Sequence, residues 1–311
     1  MTADTNGPRH LLSISDLDRD EIIKLLDSAR SFAEVSTRPV KKVPALRGQT
    51  IVNLFLEAST RTRMSFELAA KRLSADVINF ATGGSSISKG ESLKDTAKTI
   101  VAMGVDAVVI RHGSAGTPGM LTGWVDCSVI NAGDGMHEHP TQALLDLFTM
   151  RERLGRLEGL KVAIVGDIDH SRVARSNIHA LRTVGAEVLL VAPRTLLPDR
   201  VEEMGVLVTS SLAEALEWCD VLYLLRIQLE RVEESRFPSL REYTLQYGLT
   251  QARWSRLDDK PLVMHPGPIN RGVEIASGIA DEVEPVITGQ VAAGVAVRMA
   301  VLFDLLGGSH V

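Results

Sequence analysis

Short apolar runs alternating with helical patterns constrain this chain more than any other feature. Thr50–Leu56, Val77–Phe80 and Val105–Ile110 are brief, nearly continuous apolar segments in the first 150 residues. Such runs suit strands of a parallel sheet that are covered on both faces. A helical spacing over Ser15–Phe32 (Leu17, Ile22, Leu25, Leu26, Ala29) precedes them. After the charged stretch Arg151–Glu158 the alternation restarts, with strands at Leu160–Val165, Glu187–Val191, Val221–Leu225 and Leu262–Met264. Helical patterns at Ser171–Val184 and Leu212–Trp218 are interleaved with these strands. The pattern predicts two open parallel-sheet α/β domains. The polar stretch Arg231–Asp259 reads as a long excursion with one short helix, and the apolar helix Gly289–Leu306 can complete either domain.

Composition removes several classes. With 34 Lys+Arg against 39 Asp+Glu, the net charge of the 311 residues is -5. A non-specific nucleic-acid binder would carry a basic surplus, so no nucleic-acid partner is expected, although small anions remain possible ligands. The two cysteines, Cys127 and Cys219, match no metal or redox spacing and read as reduced, buried thiols of a cytoplasmic protein. Residues 1–10 lack a signal-peptide core, and the apolar stretch Val291–Leu306 is broken by Arg298 and Asp304, so no membrane association is expected.

The chemistry concentrates in a few segments. A strand ending near Leu56 runs into Glu57-Ala58-Ser59-Thr60-Arg61-Thr62-Arg63, followed by a helix with Phe66, Ala69, Ala70 and Leu73 on its apolar face. This places the polar run at a helix N-terminus, where free N–H groups and the helix dipole favour an anion. One hydroxyl would serve as an N-cap; three hydroxyls interleaved with two arginines exceed what capping needs and point to phosphate.

Further on, Gly133 to Gln142 contains His137-Glu138-His139-Pro140-Thr141-Gln142, and the proline places His139 at the start of a helix with Gln142 one turn along. The triplet lacks the four-residue histidine spacing and third ligand of a helical zinc site, so no metal is assigned. Arg111 and Arg226 each follow an apolar run, at the strand ends where α/β proteins bind ligands; a surface ion pair is the alternative for either. Arg226-Ile227-Gln228 can address one carboxylate if extended, and His265-Pro266-Gly267-Pro268 presents backbone carbonyls to an N–H-bearing ligand. Gly166–Arg172 opens a helix without the glycine pattern of a dinucleotide site, so no cofactor is assigned. For Gly83–Glu91 a linker and a lysine-bearing active-site loop fit equally well.

In combination these segments resemble the aspartate/ornithine carbamoyltransferase family over roughly Leu11 to Leu306. Ser59-Thr60-Arg61-Thr62-Arg63 is similar to its carbamoyl-phosphate signature and His139-Pro140-Thr141-Gln142 to its second signature. Arg226-Ile227-Gln228 resembles the element by which the aspartate branch recognises its amino acid, while Met264–Pro268 stands where the ornithine branch carries His-Cys-Leu-Pro.

The resemblance implies transfer of a carbamoyl group from carbamoyl phosphate to L-aspartate in pyrimidine synthesis, at an active site in an interdomain cleft. It implies a carbamoyl-phosphate-binding domain over 1–150, completed by a C-terminal helix at 285–311, and an aspartate-binding domain over 151–284. Phosphate would fall to Ser59, Thr60, Arg61, Thr62 and Arg111, with Ser85 and Lys89 supplied by a neighbouring subunit of a homotrimer with shared sites. Thr62, Arg111 and His139 would polarise the carbonyl, and Gln142 with the Pro266–Gly267 turn would hold the carbamoyl amide. Aspartate would meet Lys89, Arg172, Arg226 and Gln228, with Glu57 steadying Arg172. A regulatory chain or a dihydroorotase would be the possible protein partners. Carbamoylation of another amine such as ornithine, and a non-catalytic anion-binding assembly subunit, are the competing readings.

Two positions depart from relatives: Ser88 precedes Lys89 where some carry a second lysine, and Gly267 stands where others carry alanine or a bulkier residue. Glycine there predicts a more flexible turn.

Overall fold

The computed structural model describes residues 8–80, 90–227 and 239–307. The chain divides into two compact units, one comprising Met1–Phe148 with Ala292–Val311 and the other Thr149–Val291.

The first unit is built on a four-stranded sheet of β1 (Thr50–Phe55), β2 (Asp76–Phe80), β3 (Ala107–His112) and β4 (Ser128–Asp134), in the order β2-β1-β3-β4. Every pairing is parallel, in register Thr50↔Asp76, Ile51↔Ala107 and Val108↔Val129. The apolar runs of β1 and β3 are buried along nearly their whole length, whereas β2 at the edge is mostly exposed. Helices α1 (Arg19–Val35), α2 (Thr60–Arg72), α3 (Leu93–Val101) and α4 (Thr117–Thr122) precede or connect these strands. Val52, Leu54, Val108, Ile110 and Val129 pack with Ala97, Ile100 and Leu121 into one core cluster.

The first helix starts later than its apolar spacing implies. Asp18 accepts the Glu21 N–H at 2.8 Å and Glu21 returns a bond to the Asp18 N–H at 3.0 Å, a capping box that fixes the boundary. Strand β4 was not anticipated, because Ser128, Asn131, Gly133 and Asp134 interrupt its apolar character. All seven of its residues are nonetheless buried. Its polar groups are satisfied internally: Asn131 Nδ2 donates to Leu12 O and to Asp134 Oδ1, and the Gly133 N–H donates to Asn131 Oδ1.

In the second unit, β5 (Lys161–Val165), β6 (Glu187–Val191), β7 (Leu207–Thr209), β8 (Val221–Leu224) and β9 (Leu262–Met264) form a parallel sheet in the order β7-β6-β5-β8-β9. The reversal of direction at β5 places the ends of β5, β8 and β9 side by side. The short edge strand β7 went unread in the sequence. Among its described residues the polar excursion holds two helices rather than one, α8 (Leu240–Tyr247) and α9 (Gln251–Trp254), each started by a side-chain cap from Ser239 or Thr250. The unit also contains α6 (Arg172–Thr183), α7 (Leu212–Trp218) and α10 (Ser277–Glu282).

Two long helices, α5 (Pro140–Leu154) and α11 (Glu284–Leu306), contain the boundaries between the units. Among the described residues α11 is the one helix long and apolar enough to cross a membrane. Ala296–Leu302 are all buried, however, and Asp304 is held by Arg9 and Lys24 at 2.8 and 2.7 Å. This is the packing of a core helix. Cys127 is buried and Cys219 only partly so, a correction to the expectation of two buried thiols; both are free.

Candidate active site

The carboxyl end of β1 leads straight into the first turn of α2, so the segment 57–63 stands at the end of the first sheet. Ser59 is the N-cap residue of α2 in extended conformation, yet its side chain makes no capping hydrogen bond. Capping therefore does not account for the hydroxyls there. A cavity of about 280 Å³ opens at this terminus, lined by Phe55, Leu56, Glu57, Ala58, Ser59, Thr60 and Arg63. Thr62 is buried in the first turn, while Arg61 is exposed beside it. Arg63, the second arginine of the run, contributes to the cavity wall in addition to the hydroxyls.

Arg111 lies within β3 rather than beyond it. It pairs in register with Phe55 of β1, and its carbonyl accepts the Leu56 N–H at 2.9 Å. Parallel pairing thus carries its guanidinium to the end of β1. There Nη2 donates to Glu57 Oε1 at 2.8 Å and Nη1 to the Ala132 carbonyl at 3.4 Å. The ion pair is largely enclosed, at 12% and 20% side-chain exposure.

His139 directly precedes Pro140, the first residue of α5, and is buried. Its carbonyl accepts the Gln142 N–H at 2.9 Å, the first bond of the helix. The neighbouring acids and histidine are occupied structurally. Glu138 accepts the Ile14 N–H at 2.9 Å and the Ser13 hydroxyl, and His137 Nδ1 lies 3.1 Å from Asp134. Gln142 donates through Nε2 to Asp146, 3.2 and 3.3 Å from its two carboxylate oxygens.

Beneath these groups lies Arg298 of α11, buried, with Cζ 5.1 Å from the centroid of the Phe66 ring. Burial, reinforced by the Arg111 charge and opposed by Asp146, pushes its guanidinium down to about 9. Sequence spacing offered no sign of Asp146 or Arg298, because each sits on the apolar face of a helix where it reads as an interruption.

In the second unit, Gly166 follows β5 with φ +131, a conformation that favours glycine, and a Cβ there would lie 3.0 Å from Leu225 Cβ. Arg172 is the first residue of α6, whose N-cap Ser171 accepts the Ala174 N–H, and is itself buried. Arg226 lies two residues beyond β8, and Pro266 and Gly267 follow β9. The adjacency of β5, β8 and β9 thereby gathers Arg172, Arg226 and the 265–268 turn at one end of this sheet. Gly267 adopts φ +62, which accounts for glycine between the two prolines. Ser85, Lys89 and Gln228 lie outside the described residues.

The two units thus present ligand-type groups at the carboxyl ends of their parallel strands: a helix terminus with hydroxyls and arginine in one, arginines beside a carbonyl-bearing turn in the other. Each is the arrangement of an α/β unit whose strand ends carry groups suited to anions. The chain belongs to the aspartate/ornithine carbamoyltransferase family: residues 9–152 match its carbamoyl-phosphate-binding domain and residues 158–305 its aspartate/ornithine-binding domain. The chain is 62% identical over 301 residues to the aspartate carbamoyltransferase catalytic subunit of Thermobifida fusca, covering 97% of this chain and 96% of that one. The corresponding subunit of Acidothermus cellulolyticus is 61% identical over 302 residues, with 97% and 94% covered. Among solved structures, an aspartate transcarbamoylase from Trypanosoma cruzi in complex with carbamoyl phosphate and aspartate superposes with a TM-score of 0.87 at 31% identity, covering 96% of this chain and 97% of that one. The catalytic subunit of M. jannaschii aspartate transcarbamoylase gives a TM-score of 0.84 at 36% identity, covering 96% and 98%.

Proposed function

We propose that this chain transfers the carbamoyl group of carbamoyl phosphate to the amine of L-aspartate, giving N-carbamoyl-L-aspartate and phosphate for pyrimidine synthesis. The observation that carries the reading is the α2 terminus, where the N-cap hydroxyl is not spent on capping and a cavity opens on that turn next to Glu57 and its partner Arg111. Family membership and the aspartate-specific names of the relatives support the choice of substrates.

In this reading Ser59, Thr60, Arg61, Thr62 and Arg111 take the phosphate, with Ser85 and Lys89 contributed by a second copy. The attacking amine, in its neutral form, bonds to the carbonyl carbon, and the carbonyl oxygen gains negative charge. The C–O bond to phosphate then breaks, the proton lost by the amine passes to the departing phosphate, and the phosphate leaves as an anion. Thr62, Arg111 and His139 supply fixed donors and charge for that oxygen, so catalysis is chiefly positioning and electrostatic stabilisation. Because Asp146 occupies the Gln142 NH2 group, the Gln142 amide oxygen remains as an acceptor for the carbamoyl NH2, a task shared with backbone carbonyls of Pro266 and Gly267. The carboxylates of aspartate go to Lys89, Arg172, Arg226 and Gln228. The first unit is then the carbamoyl-phosphate domain and the second the aspartate domain.

A homotrimer with shared sites is part of the proposal. Met64 and Leu68, one turn apart on α2, and Ile78 on the edge strand β2 are 60%, 41% and 47% exposed. These apolar groups lie on α2 and the edge strand β2 of the first unit and suit a contact with another copy. A regulatory chain or a dihydroorotase is compatible with the same trimer, and a catalytic chain of this kind belongs in the cytoplasm.

The deciding experiment supplies purified protein with carbamoyl phosphate and either L-aspartate or L-ornithine and identifies the carbamoylated product. N-carbamoyl-L-aspartate is expected. Carbamoylation of ornithine alone would replace the substrate assignment, and no turnover of any amine would favour a non-catalytic subunit.

A further inference from the structure

Behind the 265–268 turn lies a buried polar cluster to which the reaction chemistry assigns no role. The side chains of His265 and Glu274 are 0% and 1% exposed. The Gly267 N–H donates to His265 Nδ1 at 2.8 Å, which leaves the imidazole proton on Nε2, 3.2 Å from Glu274 Oε1. The same carboxylate oxygen accepts the backbone N–H of Asn270 at 2.5 Å. Asn270 in turn donates through Nδ2 to the Ile227 carbonyl at 3.1 Å. On the other side, Gln290 Oε1 accepts the His265 N–H at 3.1 Å.

Glu274 Oε2 is buried with no hydrogen-bond partner. Enclosing a carboxylate in this way costs more stability than an apolar side chain of the same size. What the carboxylate supplies is direction. Its acceptor oxygen ties the turn after β9, through Asn270, to Ile227, 43 residues away in sequence; the two segments end beside each other only because β8 pairs with β9.

We propose that Glu274 is a positioning residue for carbamoyl transfer: through His265 it fixes the Pro266–Gly267 turn, through Asn270 it fixes the backbone at Ile227, and it thereby holds both as one piece. The inference rests on the roles given above to Pro266, Gly267 and Arg226. Its consequence is that the group binding the carbamoyl amide and the arginine binding aspartate share one support. Loss of the Asn270 link releases only the Arg226 side, whereas loss of the Glu274 acceptor releases both.

The test is steady-state kinetics on the full chain and its variants, with carbamoyl phosphate and L-aspartate varied separately and inhibition by inorganic phosphate measured alongside. Asn270→Ala keeps the backbone N–H and removes only the bond to Ile227. It is expected to raise the KM for aspartate roughly five-fold, the effect of losing about one hydrogen bond, with the carbamoyl-phosphate KM unchanged. Glu274→Leu is expected to raise both KM values, and Glu274→Gln, which retains an acceptor oxygen, to recover most of that loss. Inhibition by phosphate should be unaffected in all three, since phosphate contacts lie in the other unit.

If wild type turns over aspartate and Asn270→Ala leaves its KM unchanged, the positioning role is overturned. Should Glu274→Leu fail to fold, the Asn270→Ala result still decides. Absence of aspartate turnover by wild type would overturn the substrate assignment itself, and the positioning role with it.

Discussion

Gln142 and Asp146 stand one turn apart on α5, and the Gln142 amide nitrogen donates to both oxygens of the Asp146 carboxylate. A carboxylate only accepts, so the pairing sets which way the amide faces. Asp146→Asn removes that constraint, because the new amide can accept or donate and Gln142 is free to flip. The expected result is a several-fold higher KM for carbamoyl phosphate with the aspartate KM little changed. Equal KM values for mutant and wild type would show that Asp146 does not orient Gln142.

Arg226 follows β8 at the carboxyl end of the second sheet. Its proposed partner is a substrate carboxylate, and removing one side of a charge-assisted pair costs about 2–3 kcal/mol, or roughly a hundredfold in affinity. Arg226→Ala should therefore raise the aspartate requirement far more than the carbamoyl-phosphate requirement. Proportional increases in both would argue against a role confined to aspartate.

Sharing of sites between copies can be tested by complementation. Lys89→Ala and His139→Ala chains are each expected to be inactive as pure oligomers. Mixed oligomers should regain part of the wild-type activity, because some sites then receive Lys89 from one copy and His139 from the other. Confirmed hybrids without activity would mean that each chain carries a self-contained site.

Burial pushes the Cys127 thiol up to about 11 and the Cys219 thiol up to about 12. At pH 8 a thiol of pKa about 11 is roughly one part in a thousand thiolate, the reactive form. Native protein is therefore expected to resist a thiol reagent such as DTNB at pH 8, and to release two equivalents once unfolded. Rapid native labelling of either cysteine would contradict these environments.

Arg298 constrains its own helix. A Cβ at Gly294, one turn earlier on α11, would lie 2.5 Å from Arg298 Nη1 and 3.2 Å from Leu145 Cδ2. The guanidinium is buried over Phe66 and has no solvent to retreat into. In an ordinary helix interior, glycine to alanine stabilises by about 1 kcal/mol. Gly294→Ala is expected to reverse that sign and lower the melting temperature, a result checked by thermal unfolding followed by circular dichroism.

What could be read from the residues follows from how the two kinds of information are encoded. β1, β2, β3, β5, β6, β8 and β9 are apolar runs and were legible as such; β4 was hidden because its buried polar residues bond to one another, which only the tertiary structure reveals. The family signature around Ser59–Arg63 and His139–Gln142 was readable as local chemistry at helix starts. Asp146, Arg298 and the His265–Glu274–Asn270 cluster were not. Their partners lie at distant positions in sequence or on the inner face of a helix, and a single charged residue in an apolar pattern carries no mark of its partner.

The first unit is assembled from both ends of the chain, since Ala292–Val311 belong with Met1–Phe148. During synthesis the ribosome delivers residues in order, and domains fold as units as they emerge. The strands of the first sheet are made early, but the helix carrying Arg298, and the Leu306 carbonyl that accepts from Gln49 Nε2 at 3.0 Å, arrive only after the second unit. The second unit, Thr149–Val291, is complete in sequence before the first is. The nascent chain must therefore carry the first sheet without that helix until the second unit has been made, and any premature stop that removes it leaves the earlier-made unit, not the later one, unfinished.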